Sequence, residues 1–266
     1  MHLVGIVGGP RPVGNSLSPC IQNAAFAALD LDWLYAAFPV SGDPVSAIRG
    51  LVDHGVRGLN VTMPHKVAAA DAVDDLDSSA AIPGCVNTIQ VLDGRAIGYN
   101  TDGDGLVLFL ERDVGFVLPG SKVAILGAGG AARSALISLA NAGCEQITVA
   151  ARDLYKAQQI AGLVSVGSVR PLEGFSIGET SLVINATSLP VPPIDLDSIK
   201  PGVVVMDMAY RPVVTPFMQA ARERGAQTHG GLGMLLQQAC LSFEIWTGIK
   251  PPINVMSAAA VANLSE

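Results

Sequence analysis

Short unbroken runs of apolar residues recur along this chain, and Gly, Pro, Asn or Asp punctuates nearly all of them. Runs of that length predict strands buried on both faces, and stretches with apolar residues three and four apart between them predict covering helices. In the first hundred residues "LVGIVG", "WLYAAFPV" and "VRGLNVT" read as strands. The segment "SPCIQNAAFAAL" reads as a helix capped by Ser18 with Pro19 in its first turn, and "DPVSAIRGLVDHG" as a helix closed by Gly55. After "KVAAADAV", a short helix, "CVNTIQVLDGRAIGYN" predicts a hairpin turning at Asp93-Gly94, a pair suited to positive φ.

The helix "TDGDGLVLFLERD" then leads into a second series. "SKVAILGAGGAARSALISLANAG" is strand, glycine-rich turn and helix, and "QITVAAR" with "LYKAQQIAGL" repeats the unit. "SLVINAT" and "GVVVMDMA" are further buried strands, and "TPFMQAARERG" is a helix. Such alternation predicts an α/β chain with a Rossmann-type, doubly wound parallel sheet. The tail segments "GLGMLLQQACLSFEIWTG" and "NVMSAAAVANL" are helices without a strand partner, expected to pack back on the first series and make that domain discontinuous.

Composition narrows the partners. With 16 basic against 23 acidic residues the net charge is −7, and no basic run offers phosphates a positive field, so nucleic acid is not an expected partner. Charges such as Arg133, Glu145 and Arg152 interrupt each apolar stretch before membrane-spanning length, so no membrane is expected either. The start "MHLVGIVGGPRPVG" lacks the basic segment of a secretory leader and reads as a strand. Cys20, Cys85, Cys144 and Cys240 are scattered, as are the four histidines, which predicts reduced thiols in a cytoplasmic protein and no metal site.

Two stretches carry chemistry. "LGAGGAA" fits G-x-G-x-x-A through Gly127, Gly129 and Ala132, between a strand and a helix. Its first glycine permits the tight turn, its second lets backbone approach a pyrophosphate, and its small third residue lets helix and strand pack closely. The next strand ends in "VAARD", where Arg152 suits the 2′-phosphate of NADP and Asp153 the ribose hydroxyls of NAD. Both cofactors stay open on the residues, with Arg152 in the earlier slot.

The second feature is "NVTMPHK", with Asn60, Thr62 and Lys66, set against "GCVNT" with Asn87 and "GYNTDGDG" with Asp102. Taken singly these are ordinary turn sequences, as Ser16 and Ser18 in "NSLSP" are ordinary capping hydroxyls. Taken together, a Lys and an Asp at the mouths of successive strands can hold an alcohol oxygen and move its proton. Serines near a helix N-terminus suit a carboxylate, and the Asn and Thr groups suit hydroxyls, so the expected partner is an acidic, polyhydroxylated small molecule.

Taken in order, "NSLSP", "NVTMPHK", "GCVNT", "GYNTDGDG", "GAGGAAR", "NATS", "DMAYRPVVTP" and "GLGMLLQQA…WTG" make the chain resemble the shikimate dehydrogenase family, quinate-using relatives included, nearly end to end. The resemblance implies an NADP-linked, reversible reduction of 3-dehydroshikimate to shikimate, a step in aromatic amino acid biosynthesis. It implies a substrate-binding domain of residues 1–102 and 237–266 and a dinucleotide-binding domain of residues 103–236. By motif, Lys66 and Asp102 are the catalytic pair. Ser16 and Ser18 hold the substrate carboxylate, and Asn60, Thr62, Asn87 and Gln238 grip ring hydroxyls. Gly127, Gly129, Gly130 and Ala131 face the pyrophosphate and Arg152 the ribose phosphate, while Thr187, Ser188, Tyr210 and Gly231 line the cofactor cleft.

The chain departs from the family pattern at Asn15 and Gln22, where histidines are common, and in "GGPRPVGNS", which is longer around Arg11 and Pro12. These positions border the carboxylate site. Ala151-Arg152-Asp153 replaces the usual Asn-Arg-Thr, and "NATSLP" lacks the usual Gly-Met. A quinate or amino-shikimate dehydrogenase using NAD or NADP is the nearest alternative, and a non-catalytic nucleotide-binding sensor the more distant one. Retention of both Lys66 and Asp102 speaks against the sensor, since binding alone needs neither. A monomer and a homodimer are equally compatible with the sequence.

Overall fold

The structure, a computed structural model, describes residues 1–264. The chain divides into two compact units, one of Met1–Gly105 with the chain from Leu236 onward, the other of Leu106–Leu235.

In the first unit β1 (His2–Gly8), β2 (Trp33–Pro39) and β3 (Gly58–Val61) are parallel neighbours. β5 (Thr88–Leu92) and β6 (Arg95–Tyr99) continue the sheet antiparallel, and the two-residue β4 (Asp75–Leu76) closes it in the order β2-β1-β3-β5-β6-β4. The β5–β6 hairpin turns at Asp93 and Gly94, both at positive φ (50° and 78°), the twist a two-residue turn needs. Helices α2 (Ser18–Ala28) and α3 (Pro44–Asp53) follow β1 and β2, and α10 (Ile253–Leu264) packs on α2.

Two local expectations are corrected. Ser18 is the first residue of α2 rather than its cap; Ser16 Oγ accepts the Ser18 N–H at 3.2 Å. The helix expected from Lys66 is a 3-10 turn starting at Ala68. The sequence reading also passed over α1 (Pro10–Gly14) and α4 (Ser78–Ala81), each a single turn or little more.

The second unit is an all-parallel sheet, β12-β11-β10-β7-β8-β9, the doubly wound order in which the chain reverses beside β7. Its strands are β7 (Lys122–Leu126), β8 (Gln146–Ala151), β9 (Gly167–Pro171), β10 (Leu182–Asn185), β11 (Val204–Asp207) and β12 (Gln227–Gly230). Alternate residues enter two cores: Val123, Ile125, Leu182 and Ile184 face one, Ala124, Leu126, Val183 and Val205 the other. Apolar layers on both faces explain why these strands read as continuous hydrophobic runs. Helices α6 (Gly130–Asn141), α7 (Leu154–Ala161) and α8 (Pro216–Arg222) complete the unit. The chain passes between units within α5 (Asp102–Leu108) and again within α9 (Leu232–Thr247). Among the described residues no helix is long and apolar enough to cross a membrane.

Candidate active site

Lys66 follows β3 by a tight turn in which the His65 N–H donates to Thr62 O, and the His65 ring contacts Val40 O at 3.2 Å. Asp102 opens α5, where its charge complements the helix start. The turn and the helix start bring Lys66 Nζ to 2.6 Å from Asp102 Oδ2, with 20% and 10% of the two side chains exposed. A charge-assisted bond this short, partly withdrawn from water, is a strong one. The pair keeps contact with solvent, as a group exchanging protons with a ligand must.

Behind the pair lies a buried polar lattice. Asn87 Nδ2 donates to Asp102 Oδ1 at 2.9 Å, to Thr101 Oγ1 at 2.9 Å, and towards Gln238 Oε1 at 3.4 Å. Asn87 Oδ1 accepts from the Thr101 N–H at 2.8 Å and from the Thr88 hydroxyl. Lys66, Asn87, Asp102 and Gln238 are thus brought together from the β3 turn, the start of β5, α5 and α9.

Asn60 stands one layer deeper, 6% exposed. Its amide donates to Asn87 O, Thr88 Oγ1 and Ser242 Oγ, and its oxygen accepts from the Tyr35 hydroxyl at 2.8 Å. The Asn60 side chain is therefore engaged inside the protein. Thr88, the neighbour of Asn87 in "GCVNT", belongs to this lattice, as do Tyr35 and Ser242, which were not singled out from the sequence. They lie far apart along the chain, so no local pattern announces them. Burial pushes the Tyr35 phenol far above its ordinary value, with the Ser18 hydroxyl opposing weakly, so it stays a donor. Ser18 itself is buried and Ser16 half-buried at the start of α2. Thr62 is half-buried, and the space beside it admits only Gly8, where a Cβ would stand 2.3 Å from the Thr62 methyl.

Gln22 and Asn23, at a point of departure from the family pattern, serve packing. Gln22 Nε2 donates to Ala239 O at 3.0 Å, joining α2 to α9. Asn23 bonds both the N–H and the carbonyl of Tyr35.

In the second unit the glycine-rich turn follows β7. Gly127 has φ +110°, a conformation for glycine, and a Cβ there would meet the Thr187 methyl at 3.1 Å. A Cβ on Gly129 or Gly130 would meet nothing within 4 Å, which leaves their backbone open to a ligand. Gly129 caps α6 without a side chain, so the helix N–H groups remain available to an anion. Ala131 is half-buried in the first turn of α6, and Arg133 beyond it keeps a buried Nε with no hydrogen-bond partner among the described residues. A cation at that spot, missed in the sequence, suits a phosphate.

Arg152 is exposed after β8, and Asp153 caps α7 by accepting the Lys156 N–H at 3.0 Å. Lys156 Nζ lies 3.7 Å from the same carboxylate. The turn after β10 carries half-buried Thr187 and exposed Ser188; half-buried Tyr210 follows β11. Gly231 begins α9's approach, where a Cβ would collide with Met208 O at 2.0 Å.

Three family descriptions match the chain: a shikimate dehydrogenase substrate-binding domain over residues 7–89, a shikimate/quinate 5-dehydrogenase domain over 111–215, and a shikimate 5-dehydrogenase C-terminal domain over 231–261. The shikimate dehydrogenase (NADP+) of Geobacillus kaustophilus is 39% identical over 274 residues, covering 98% of each chain. A shikimate dehydrogenase crystallised with NADP+ superposes with TM-score 0.93 at 34% identity, covering 100% of this chain and 96% of its own. The Thermus thermophilus enzyme, solved with NADP(H) and shikimate, gives 0.89 at 32%, covering 99% and 100%.

Proposed function

The chain belongs to the shikimate dehydrogenase family, and from that premise we propose that it is an NADP-dependent shikimate dehydrogenase, reversibly reducing 3-dehydroshikimate to shikimate. The observation that carries the reading is the Lys66–Asp102 pair at 2.6 Å, held from behind by Asn87. A fold kept only for binding has no need of a largely buried ion pair so placed.

The residues after β7 suit a dinucleotide: an uncapped helix start, an open glycine backbone and a left-handed Gly127. Gly127, Gly129, Gly130 and Ala131 take the pyrophosphate with Arg133 beside them, Arg152 takes the 2′-phosphate, and Thr187, Ser188, Tyr210 and Gly231 take the nicotinamide side. Bound there, NADP supplies the two-electron exchange with the substrate carbon.

The protein's own part is to hold the substrate and move the proton. Ser16 and Ser18 bind the carboxylate at the start of α2. Thr62, Asn87 and Gln238 bind ring hydroxyls, and Asn60 acts one layer back by fixing Asn87 O. In reduction the new alkoxide takes a proton through the Lys66–Asp102 pair, which recovers it from solvent, while Asp102 keeps the ammonium aimed. In oxidation the alcohol proton leaves by the same pair. One chain carries the acid–base pair, the serines and the dinucleotide turn, so a cytoplasmic monomer or homodimer suffices.

The test is absorbance of NADPH formed from shikimate or quinate, with NADP and with NAD. Fastest turnover of shikimate with NADP is expected. Turnover of neither substrate with either cofactor overturns the reading.

A further inference from the structure

Resting on the proposed reading of the second unit as the NADP-binding one, we propose that Asp207 is a positioning residue. It clamps together the two loops that carry Thr187, Ser188 and Tyr210.

β10 and β11 are parallel neighbours in a register that sets Asn185 opposite Asp207. Each is the last residue of an apolar run, and they are 1% and 2% exposed. Each also starts its own loop. Asn185 Oδ1 accepts the Thr187 N–H at 3.0 Å and the Thr187 hydroxyl at 2.7 Å, and Thr187 Oγ1 accepts the Leu189 N–H at 3.1 Å. Asp207 Oδ1 accepts the Ala209 N–H at 3.1 Å. The two loop starts are then joined, because Asn185 Nδ2 donates to Asp207 Oδ2 at 3.2 Å.

The same Oδ2 accepts the Thr215 hydroxyl at 2.7 Å, which closes the far end of the loop holding Tyr210. Thr215 Oγ1 in turn accepts the Met218 N–H and caps α8. Ala209 O accepts the Gly231 N–H at 3.0 Å, so the start of α9 is tied to this loop as well. Thr187 stands against Gly127, so the clamp also sets the wall of the dinucleotide turn. The expected nicotinamide-side residues hang on one buried carboxylate that itself lies below the surface.

Asp207→Asn preserves shape and breaks this logic. Whichever way the new amide turns, its NH2 faces a donor, the Asn185 NH2 from the Oδ2 position or the Ala209 N–H from the Oδ1 position, and two donors repel. Turning the Asn185 amide to accept from it aims the Asn185 NH2 at the Thr187 N–H, which frees the loop instead. The variant therefore keeps the core and misplaces the loop after β10.

The experiment is NADPH titration by fluorescence, with KM values for NADP and shikimate, on wild type and Asp207→Asn. We expect the NADPH Kd and the NADP KM to rise about tenfold, the loss of one charge-assisted hydrogen bond. The shikimate KM should stay within about twofold, since its binding residues belong to the other unit. Thr215→Val should move cofactor affinity the same way, and Thr215→Ser should restore it; this pair decides the matter if Asp207→Asn does not fold. Cofactor affinity within about twofold of wild type in the folded variants, or an equal loss for both ligands, overturns the clamp. Wild type that binds no NADPH overturns the parent reading instead.

Discussion

In the first unit Asn87 donates to Asp102, and in the second Asn185 donates to Asp207, both pairs at the mouths of sheets and both buried. The difference lies in what the second carboxylate oxygen meets. Asp102 presents Oδ2 to the ammonium of Lys66, a partner that keeps 20% of its side chain in water. Asp207 presents its shared Oδ2 to the Thr215 hydroxyl, which serves a helix cap. The same amide–carboxylate pairing thus ends at an ammonium that touches solvent, the proposed acid–base pair, in one unit, and at a hydroxyl that caps a helix in the other. A buried Asn–Asp pair alone does not tell the two apart; the residue on its far side does.

The sharpest way to break this comparison is to remove the lysine. Lys66→Ala should lower kcat by about a hundredfold or more, the loss of an acid–base group, and leave NADPH binding intact. A kcat within a few-fold of wild type in the absorbance assay would make the Lys66–Asp102 pair as structural as the one at Asp207.

The next largest effect belongs to the dinucleotide turn. Gly127→Ala forces a Cβ into a left-handed conformation and against Thr187, which costs about 1–2 kcal/mol from the backbone alone. The cofactor KM should rise about tenfold with the shikimate KM unchanged. An equal rise in both would blur the division of labour between units.

Tyr35→Phe probes the layer behind the Lys66–Asp102 pair. It leaves Asn60 Oδ1 without its donor, for a loss of about 1–2 kcal/mol of stability by denaturant unfolding and a smaller fall in kcat. Unchanged stability would mean that the lattice does not depend on the Tyr35 hydroxyl.

Asp153→Ser should raise the NADP:NAD ratio of kcat/KM about three- to tenfold. Serine still caps α7, so the change removes a charge beside Arg152 and leaves the helix in place. The smallest expected effect is at His229, whose pKa is lowered first by burial and then by the charge of Arg222. The folded state thus favours the neutral ring, and the unfolded chain binds the proton first. Stability is constant above the ordinary value of 6.5 and falls as the pH drops below it. His229→Gln should flatten that part of the thermal-midpoint profile between pH 7 and pH 5.5; an identical slope would remove His229 from the account.

Much of this was legible in the chain, for physical reasons that also explain the omissions. β7, β10 and β11 read as strands because both their faces are apolar. β9 and β12 escaped notice because they are the two edges of their sheet, where "GSVRP" and "QTHG" need no continuous run. Lys66, Asp102 and the glycine turn stood out through local motif and order. Tyr35 and Ser242 did not, because only the folded sheet and α9 bring them to Asn60 and Thr88. Asn185 and Asp207 lay between the two cases: a polar residue closing a buried apolar run is visible in sequence, but its partner across the register is not.

The most direct test of the account is Asp102→Asn, measured by NADPH titration and by steady-state oxidation of shikimate on the same preparation. Unchanged NADPH affinity with kcat lowered about a hundredfold or more is the predicted result. Turnover within a few-fold of wild type would contradict the assignment of chemistry to the Lys66–Asp102 pair.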